Sequence, residues 1–145
     1  MVALIIALLE HDNHAQQIRK SLQDAGHDVA IVDCFSKAKL ILEGRCIDAT
    51  AAATCDLIIS EVHLENGGSI FDFLKWVKAH PRLCAVPFVL LSLEPTDLAK
   101  YLSDGVQIAA RLLGASKYIS MIEFDAAVLH EELSELLQPQ QTTQS

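Results

Sequence analysis

Residues 55–68 read CDLIISEVHLENGG and contain the pattern from which the rest of the fold follows. The apolar run Leu57–Ile59 is typical of a short buried strand, and it is followed by Ser60 and then by an acid, Glu61. Gly67-Gly68 marks a loop, after which a helical pattern begins at Ile70. In an open parallel sheet, functional groups gather at the carboxyl ends of the strands. Glu61 is therefore the first candidate for a functional side chain.

The composition predicts a single globular domain that binds neither nucleic acid nor membrane. The chain has 145 residues, of which 51% are hydrophobic, and this is enough for a core. The net charge of -8 disfavours non-specific binding to nucleic acid or to an anionic membrane. The longest apolar run, Val2–Leu9, is too short to span a bilayer and lacks the flanks of a signal peptide. We therefore expect a cytoplasmic protein.

Apolar runs and helical periodicities alternate along the chain, which predicts five β-α units. Gly26, Gly44 and Gly114 are the expected helix stops. The fold class is therefore α/β, a three-layer sandwich around a five-stranded parallel sheet. One domain is expected over residues 1–137, followed by a disordered polar tail at 138–145. The predicted strands are 3–9, 29–32, 57–60, 88–91 and 117–120, and the predicted helices are 13–25, 36–44, 70–79, 96–113 and 124–136.

Distinctive side chains stand after four of the predicted strands, where parallel strands present their carboxyl ends to one edge of the sheet. They are Glu10, His11 and Asp12 after the first strand, Glu61 after the third, Ser92 after the fourth and Met121 after the fifth. This pattern resembles the response-regulator receiver (CheY-like) family, and the resemblance extends over nearly all of residues 3–137.

The resemblance implies a role for each of these positions. In that family an acidic pair binds Mg²⁺, and an aspartate after the third strand accepts a phosphoryl group from a histidine kinase. A Ser or Thr and a Lys contact that group, and an aromatic residue on the fifth strand reports the state. The corresponding residues here are Glu10 and Asp12 (or His11) for the acidic pair, Glu61 for the acceptor, Ser92 and Tyr118 for the switch, and Met121 for the lysine.

Two departures from the family pattern argue against the usual chemistry. Glu61 is one methylene longer than aspartate, which displaces the attacking oxygen by about 1.5 Å. Misplacement of about 1 Å can cost roughly a hundredfold in rate. Met121 cannot supply the cation that pairs with an added phosphate. The sequence is therefore identified as an atypical receiver, or pseudo-receiver.

The acids at the sheet edge suggest a second hypothesis. If the side chains of Glu10, Asp12 and Glu61 converge without a lysine, the pocket either binds a divalent metal such as Mg²⁺ weakly or keeps one carboxyl protonated. His11 and His14 offer another possible metal site, and His63 adds slightly to it. Histidines in loops usually face water, and this is what we expect of the pair.

The leading functional hypothesis is a stand-alone receiver-like domain that acts as a protein-interaction module in two-component (phosphorelay) signal transduction. We expect no enzymatic activity. The expected partners are a histidine kinase or a downstream signalling protein, and a homodimer through the fourth helix, fifth strand and fifth helix is possible. The fourth helix looks longer than in the family, and its apolar residues Tyr101, Leu102, Val106 and Ile108 either enlarge a contact patch or fill the core, which we favour.

Three alternatives remain open from the sequence. The chain could be a phosphorylatable response regulator with an altered site, or Glu61 could mimic a phosphorylated aspartate by reaching Ser92 and holding Tyr118 inward. It could also be a flavodoxin-like binder of cobalamin or flavin. The stretch from Asp12 to His14 resembles the start of the cobalamin motif Asp-x-His-x-x-Gly, but Gln17 stands where the glycine would be.

Overall fold

Strands and helices alternate along the described part of the chain, as the sequence predicts. The computed structural model describes residues 4–47, 55–61, 70–93, 97–121 and 123–137, without the side chains of 45–47 and 97–103. The elements are β1 (Leu4–Leu8), α1 (Asp12–Asp24), β2 (Asp28–Val32), α2 (Phe35–Ile47), β3 (Leu57–Glu61), α3 (Ile70–Ala79), β4 (Phe88–Leu93), α4 (Asp97–Leu112), β5 (Lys117–Met121) and α5 (Ala126–Leu137).

All five strands are parallel and form one sheet in the order β2-β1-β3-β4-β5. β3 is the central strand and pairs with β1 and β4, so that Ile59 lies opposite Ala7 on one side and Val89 on the other. Because a central strand is covered by neighbours at both edges and by helices on both faces, its first three residues, Leu57–Ile59, are apolar without alternation. The whole of β3 is buried.

The two faces of the sheet bury separate apolar layers, because successive side chains of a strand point to opposite sides. Ile6, Ile58 and Leu90 face the layer formed by α2, α3 and α4. Ile59 and Leu91 face the layer formed by α1 and α5. The three-layer α/β sandwich is thus confirmed.

Aromatic side chains concentrate in the layer under α2, α3 and α4. The rings of Phe35 and Phe73 are stacked with centroids 5.0 Å apart, and Phe73 also contacts the ring of Phe88 at 5.8 Å. Each such side chain stabilises the fold by about 1.5–3 kcal/mol through burial of its apolar surface. These rings fix α2 and α3 on one face of the sheet.

The second helix differs from its prediction. α2 continues through Gly44 to Ile47, so the expected stop at Gly44 is wrong. Leu40 of the same helix is exposed, although its apolar character is typical of a buried position. The glycines that do take positive φ are Gly26 (+91°) and Gly114 (+105°), just beyond α1 and α4. Within the described ranges, these two positions are where a left-handed glycine ends a helix.

Among the described residues, no helix is both long enough and apolar enough to cross a membrane. The expected disordered tail, 138–145, lies outside the described residues, and so do residues 48–54 before β3 and His63 after it. The single-domain boundary at residue 137 stays a prediction. α4 is 16 residues long, and of its expected contact residues Val106 is half-buried against the core whereas Ile108 is exposed.

Candidate functional site

Glu61 is the last residue of β3 and lies at the carboxyl edge of the sheet, as predicted. It is opposite Leu91 of β4, and only 5% of its surface is exposed. Burying a carboxylate at this level is costly unless hydrogen bonds or a cation compensate for the lost water. The contacts of Glu61 therefore show what the pocket is built to hold.

The Glu61 carboxylate is held by the turn between β1 and α1. The backbone N–H of Glu10 donates to Oε2 at 3.1 Å. Nδ1 of His14 lies 3.0 Å from Oε1, and Nδ1 of His11 lies 3.4 Å from Oε2. Both carboxylate oxygens are thus engaged by groups from one turn.

The start of α1 brings the two imidazoles to the same side. His11 is the N-cap residue of α1, with extended backbone angles and no side-chain capping bond, and His14 stands three residues on. Residues three apart in a helix lie on one face. The two rings are 5.5 Å apart in an edge-on arrangement. His14 is buried and His11 is 55% exposed in its side chain, so the expectation that both face water is wrong for His14.

The structure does not assemble the expected trio of carboxylates. Asp12 is the first residue of α1, is exposed, and lines a separate groove of about 360 Å³ between α1 and β2, with Arg19 and Lys37 on its rim. Among the described residues, the group whose ligand atoms lie within 4.8 Å of one another consists of His11, His14 and Glu61. The carboxylates of Glu10 and Asp12 are not part of that group.

This donor set does not fit the magnesium ion that the resemblance implies. Mg²⁺ prefers oxygen ligands in octahedral geometry, whereas the assembled atoms are two imidazole nitrogens and one carboxylate. His14 is also the histidine of the partial cobalamin motif, and its ring is turned inward onto Glu61. The cobalamin alternative therefore gains no support from this histidine.

The two expected switch residues both lie within strands of the sheet, and Ser92, which was expected just after the fourth strand, is inside β4. Ser92 is in β4 and is buried, with Ser120 of β5 as its strand partner. Tyr118 is half-buried and packs against the layer under α2, α3 and α4. In the described part of the chain, the Glu61 carboxylate makes its hydrogen bonds to the β1–α1 turn and not to Ser92.

Met121 ends β5 and is part of the apolar layer under α1 and α5. Its sulfur accepts a weak hydrogen bond from the N–H of Asp125 at 3.4 Å, and the Asp125 carboxylate in turn caps the first turn of α5 through the N–H of Ala127 at 2.9 Å. The lysine-equivalent position therefore holds α5 in place and brings no charge to the pocket.

The lysine on β5 points elsewhere. Lys117 Nζ lies 2.7 Å from Glu135 and 3.0 Å from Glu132, both on α5. The hydrogen bond to Glu135, followed by that to Glu132, raises the pKa of Lys117 above its usual value. Lys117 thus binds α5 to the start of β5. This is the amino-terminal end of the parallel strands, whereas Glu61 lies at their carboxyl end.

Sequence reasoning named Glu61 but missed the role of His14. The signal was present in the sequence, because His11 and His14 are three residues apart immediately after an apolar strand. That spacing places two side chains on one helix face. Which face that is depends on where the helix begins, and this was not evident from the sequence.

No protein-family model matches this sequence, and no curated protein matches it in sequence. Solved structures do match it. CheY4 of Vibrio cholerae superposes with a TM-score of 0.74 at 22% identity, covering 94% of this chain and 100% of that chain.

Two further solved structures are similar. The BeF3-activated N-terminal receiver domain of RstA from Klebsiella pneumoniae gives a TM-score of 0.71 at 19% identity, over 94% of this chain and 99% of that chain. The signal receiver domain of a signal transduction histidine kinase from Syntrophus aciditrophicus gives a TM-score of 0.70 at 20% identity, over 93% of this chain and 89% of that chain. At these identities the similarity establishes the fold.

Proposed function

We propose that this chain, which has the fold of response-regulator receiver domains, works as a protein-interaction module in two-component signalling and does not accept a phosphoryl group in the usual way. Its proposed partners are a histidine kinase or a downstream signalling protein in the cytoplasm. The proposal assigns it no enzymatic activity. The solved structures that share its fold include receiver domains of signalling proteins.

The observation that carries the proposal is the state of the Glu61 carboxylate. An acceptor carboxylate must turn one oxygen towards the phosphoryl donor. Here Oε2 accepts the Glu10 N–H at 3.1 Å and Oε1 lies 3.0 Å from Nδ1 of His14, in a pocket where Glu61 is 5% exposed. Freeing either oxygen costs a charge-assisted hydrogen bond, worth about 1.5–3 kcal/mol.

The charges around the pocket support the same conclusion. A phosphoryl group adds roughly two negative charges at neutral pH. Met121 is uncharged, and Lys117 is engaged by two glutamates of α5. The described lysine of β5 is therefore not available to neutralise an added phosphate beside Glu61.

A protein partner fits the outer face of α4. Ile108 and Leu112 are one turn apart on that helix, and both are strongly exposed. Exposed apolar side chains that adjoin one another are typical of protein contacts. The net charge of -8 favours protein partners over nucleic acid. We include a homodimer through α4, β5 and α5 among the possible assemblies.

The test is phosphorylation by acetyl phosphate in the presence of Mg²⁺, followed by intact-mass measurement. We expect no phosphoryl adduct on the wild-type chain under conditions that fully modify a response regulator with an aspartate acceptor, which is the positive control. A stable adduct that disappears in Glu61→Gln would contradict the proposal. It would support instead the alternative of a phosphorylatable regulator with an altered site.

A further inference from the structure

Three potential metal ligands meet at the carboxyl end of β3. Nδ1 of His11, Nδ1 of His14 and the carboxylate of Glu61 lie within 4.8 Å of one another. His14 and Glu61 are both buried. Neither the usual receiver chemistry nor the proposed interaction role requires two imidazoles here.

We propose that His11, His14 and Glu61 form a binding site for a divalent transition-metal ion of the zinc class. Imidazole nitrogen is a preferred ligand of Zn²⁺, Co²⁺ and Ni²⁺, and two histidines with one glutamate are a known ligand set for zinc. The same set is a poor one for Mg²⁺, which needs oxygen ligands. The pocket thus selects a different class of ion from the one that the fold implies.

The distances between the ligand atoms suit a tetrahedral ion. Zinc binds imidazole nitrogen and carboxylate oxygen at about 2.0–2.2 Å, which places two ligands of one tetrahedral ion about 3.3 Å apart. His14 Nδ1 is 3.0 Å and His11 Nδ1 is 3.4 Å from its nearest Glu61 oxygen. These two distances run to different oxygens of Glu61, and the three ligand atoms lie within 4.8 Å of one another. An ion held by His14 and Glu61 therefore requires the exposed His11 ring to turn towards it.

The site is largely prepared before an ion arrives. Glu61 is fixed by the central strand and by the N–H of Glu10, and His14 is fixed by the first turn of α1. His11 is 55% exposed and provides the route from solvent. A bound ion takes the place of any proton on the Nδ1 atoms, because a ligating imidazole nitrogen must be deprotonated, and water can complete the coordination.

Metal binding ties the start of α1 to the end of β3. It also places positive charge where the lysine-equivalent Met121 supplies none. Zinc binding involves the same pocket as the proposed function but is measured with neither a phosphoryl donor nor a protein partner. A negative result for zinc therefore does not contradict the proposed interaction role, and a negative result for that role does not contradict zinc binding.

The test is a calorimetric titration of the tag-free, chelator-treated protein with Zn²⁺. We expect one ion per chain, with no displacement by excess Mg²⁺. His14→Asn keeps an N–H near the position of Nδ1 but loses the imidazole ligand. His14→Asn and Glu61→Gln are each expected to weaken Zn²⁺ binding by at least about a hundredfold, since even changes behind the ligands commonly cost ten- to hundredfold.

Two variants serve as controls. His80→Asn removes a histidine just beyond the end of α3, and Cys84→Ser removes an exposed thiol that could bind zinc. Both should retain wild-type affinity. The proposal is overturned if the wild-type chain binds no Zn²⁺, if affinity survives His14→Asn within tenfold, or if Cys84→Ser abolishes binding.

A second measurement needs no variant and covers the case in which a substitution impairs folding. The chain has six histidines, whose ring signals can be followed by NMR during a Zn²⁺ titration. We expect the signals of His11 and His14 to shift together at one equivalent while those of the other histidines stay in place. Shifts at other histidines without these two would reject the site.

Discussion

At the scale of single residues, the pocket is defined by a buried acid whose partners come from a neighbouring turn. Glu61 is 5% exposed, and its carboxylate accepts the N–H of Glu10 and is hydrogen-bonded to the imidazole of His14. In a buried environment each of these hydrogen bonds matters chiefly because leaving a group without its partner is costly. The local structure of the β1–α1 turn therefore depends on one side chain of β3.

Replacing that acid should destabilise the fold. In Glu61→Ala, the Glu10 N–H and the His14 ring lose this acceptor, and we expect the free energy of unfolding to fall by about 1–3 kcal/mol. Urea denaturation measures the change. Glu123→Ala, at an exposed position, should stay within about 0.5 kcal/mol of wild type. An unchanged or higher stability of Glu61→Ala would mean that burial of the carboxylate costs more than its hydrogen bonds contribute.

At the scale of elements, the ends and the positions of the helices depend on backbone conformation and side-chain contacts more than on the sequence pattern of each helix. α2 passes through Gly44 without a positive φ, whereas Gly26 and Gly114 have positive φ at helix ends. α5 is bound to β5 at both ends of the strand. At the end of β5 the sulfur of Met121 accepts the N–H of Asp125, which caps α5, and at the start of β5 Lys117 pairs with two glutamates of α5. Side-chain contacts with the sheet therefore decide where α5 lies.

The Lys117 contacts give a pH-dependent prediction. The pKa of Lys117 is raised in the folded state by its hydrogen bonds to Glu135 and Glu132. The resulting stabilisation is fully present below the unfolded lysine value of about 10.4 and is lost as pH rises through the folded pKa. Lys117→Met should lower the unfolding free energy by up to about 1 kcal/mol at neutral pH, since these pairs are partly exposed to water.

Denaturation at a series of pH values checks this prediction. The difference between wild type and Lys117→Met should shrink above the ordinary lysine pKa. Lys20→Met, at an exposed position of α1, is the control and should show no such dependence. A difference that stays constant into the alkaline range would show that Lys117 acts through packing of its stem.

At the scale of the whole molecule, the apolar surface left outside the two core layers is concentrated on helices. Among the described residues, Leu112 is 83% and Ile108 60% exposed, both on α4, while Leu40 is exposed on α2. Substituting exposed residues seldom changes stability by more than about 0.5 kcal/mol. These positions can therefore be altered to test association without disturbing the fold.

The homodimer proposal predicts that the double substitution of Ile108 and Leu112 by serine abolishes self-association. Sedimentation velocity over a range of concentrations measures the oligomeric state, and urea denaturation should show unchanged stability. Leu40→Ser, on another helix, is the matched control and should leave association intact. A wild-type chain that stays monomeric throughout the range, or a dimer that survives the double substitution, would reject this assembly.

The sequence by itself determined the fold class and the edge of the sheet where the site lies. Apolar runs long enough for buried strands alternate with helical periodicities, and burial of both faces of a parallel sheet leaves few other arrangements. The predicted strands and helices overlap those of the structure, and Glu61 lies at the strand end where it was expected. These features depend on local pattern, which a single sequence contains.

Only the tertiary structure decided which side chains enter the pocket. Each residue of a helix turns by about 100° relative to the one before it, so the point at which α1 begins determines which side chains face Glu61. With His11 as the N-cap, His14 points inward and Asp12 outward. A helix boundary cannot be read from sequence to within one residue. For that reason the sequence predicted a cluster of acids in the pocket, whereas the folded protein has two histidines beside one buried glutamate.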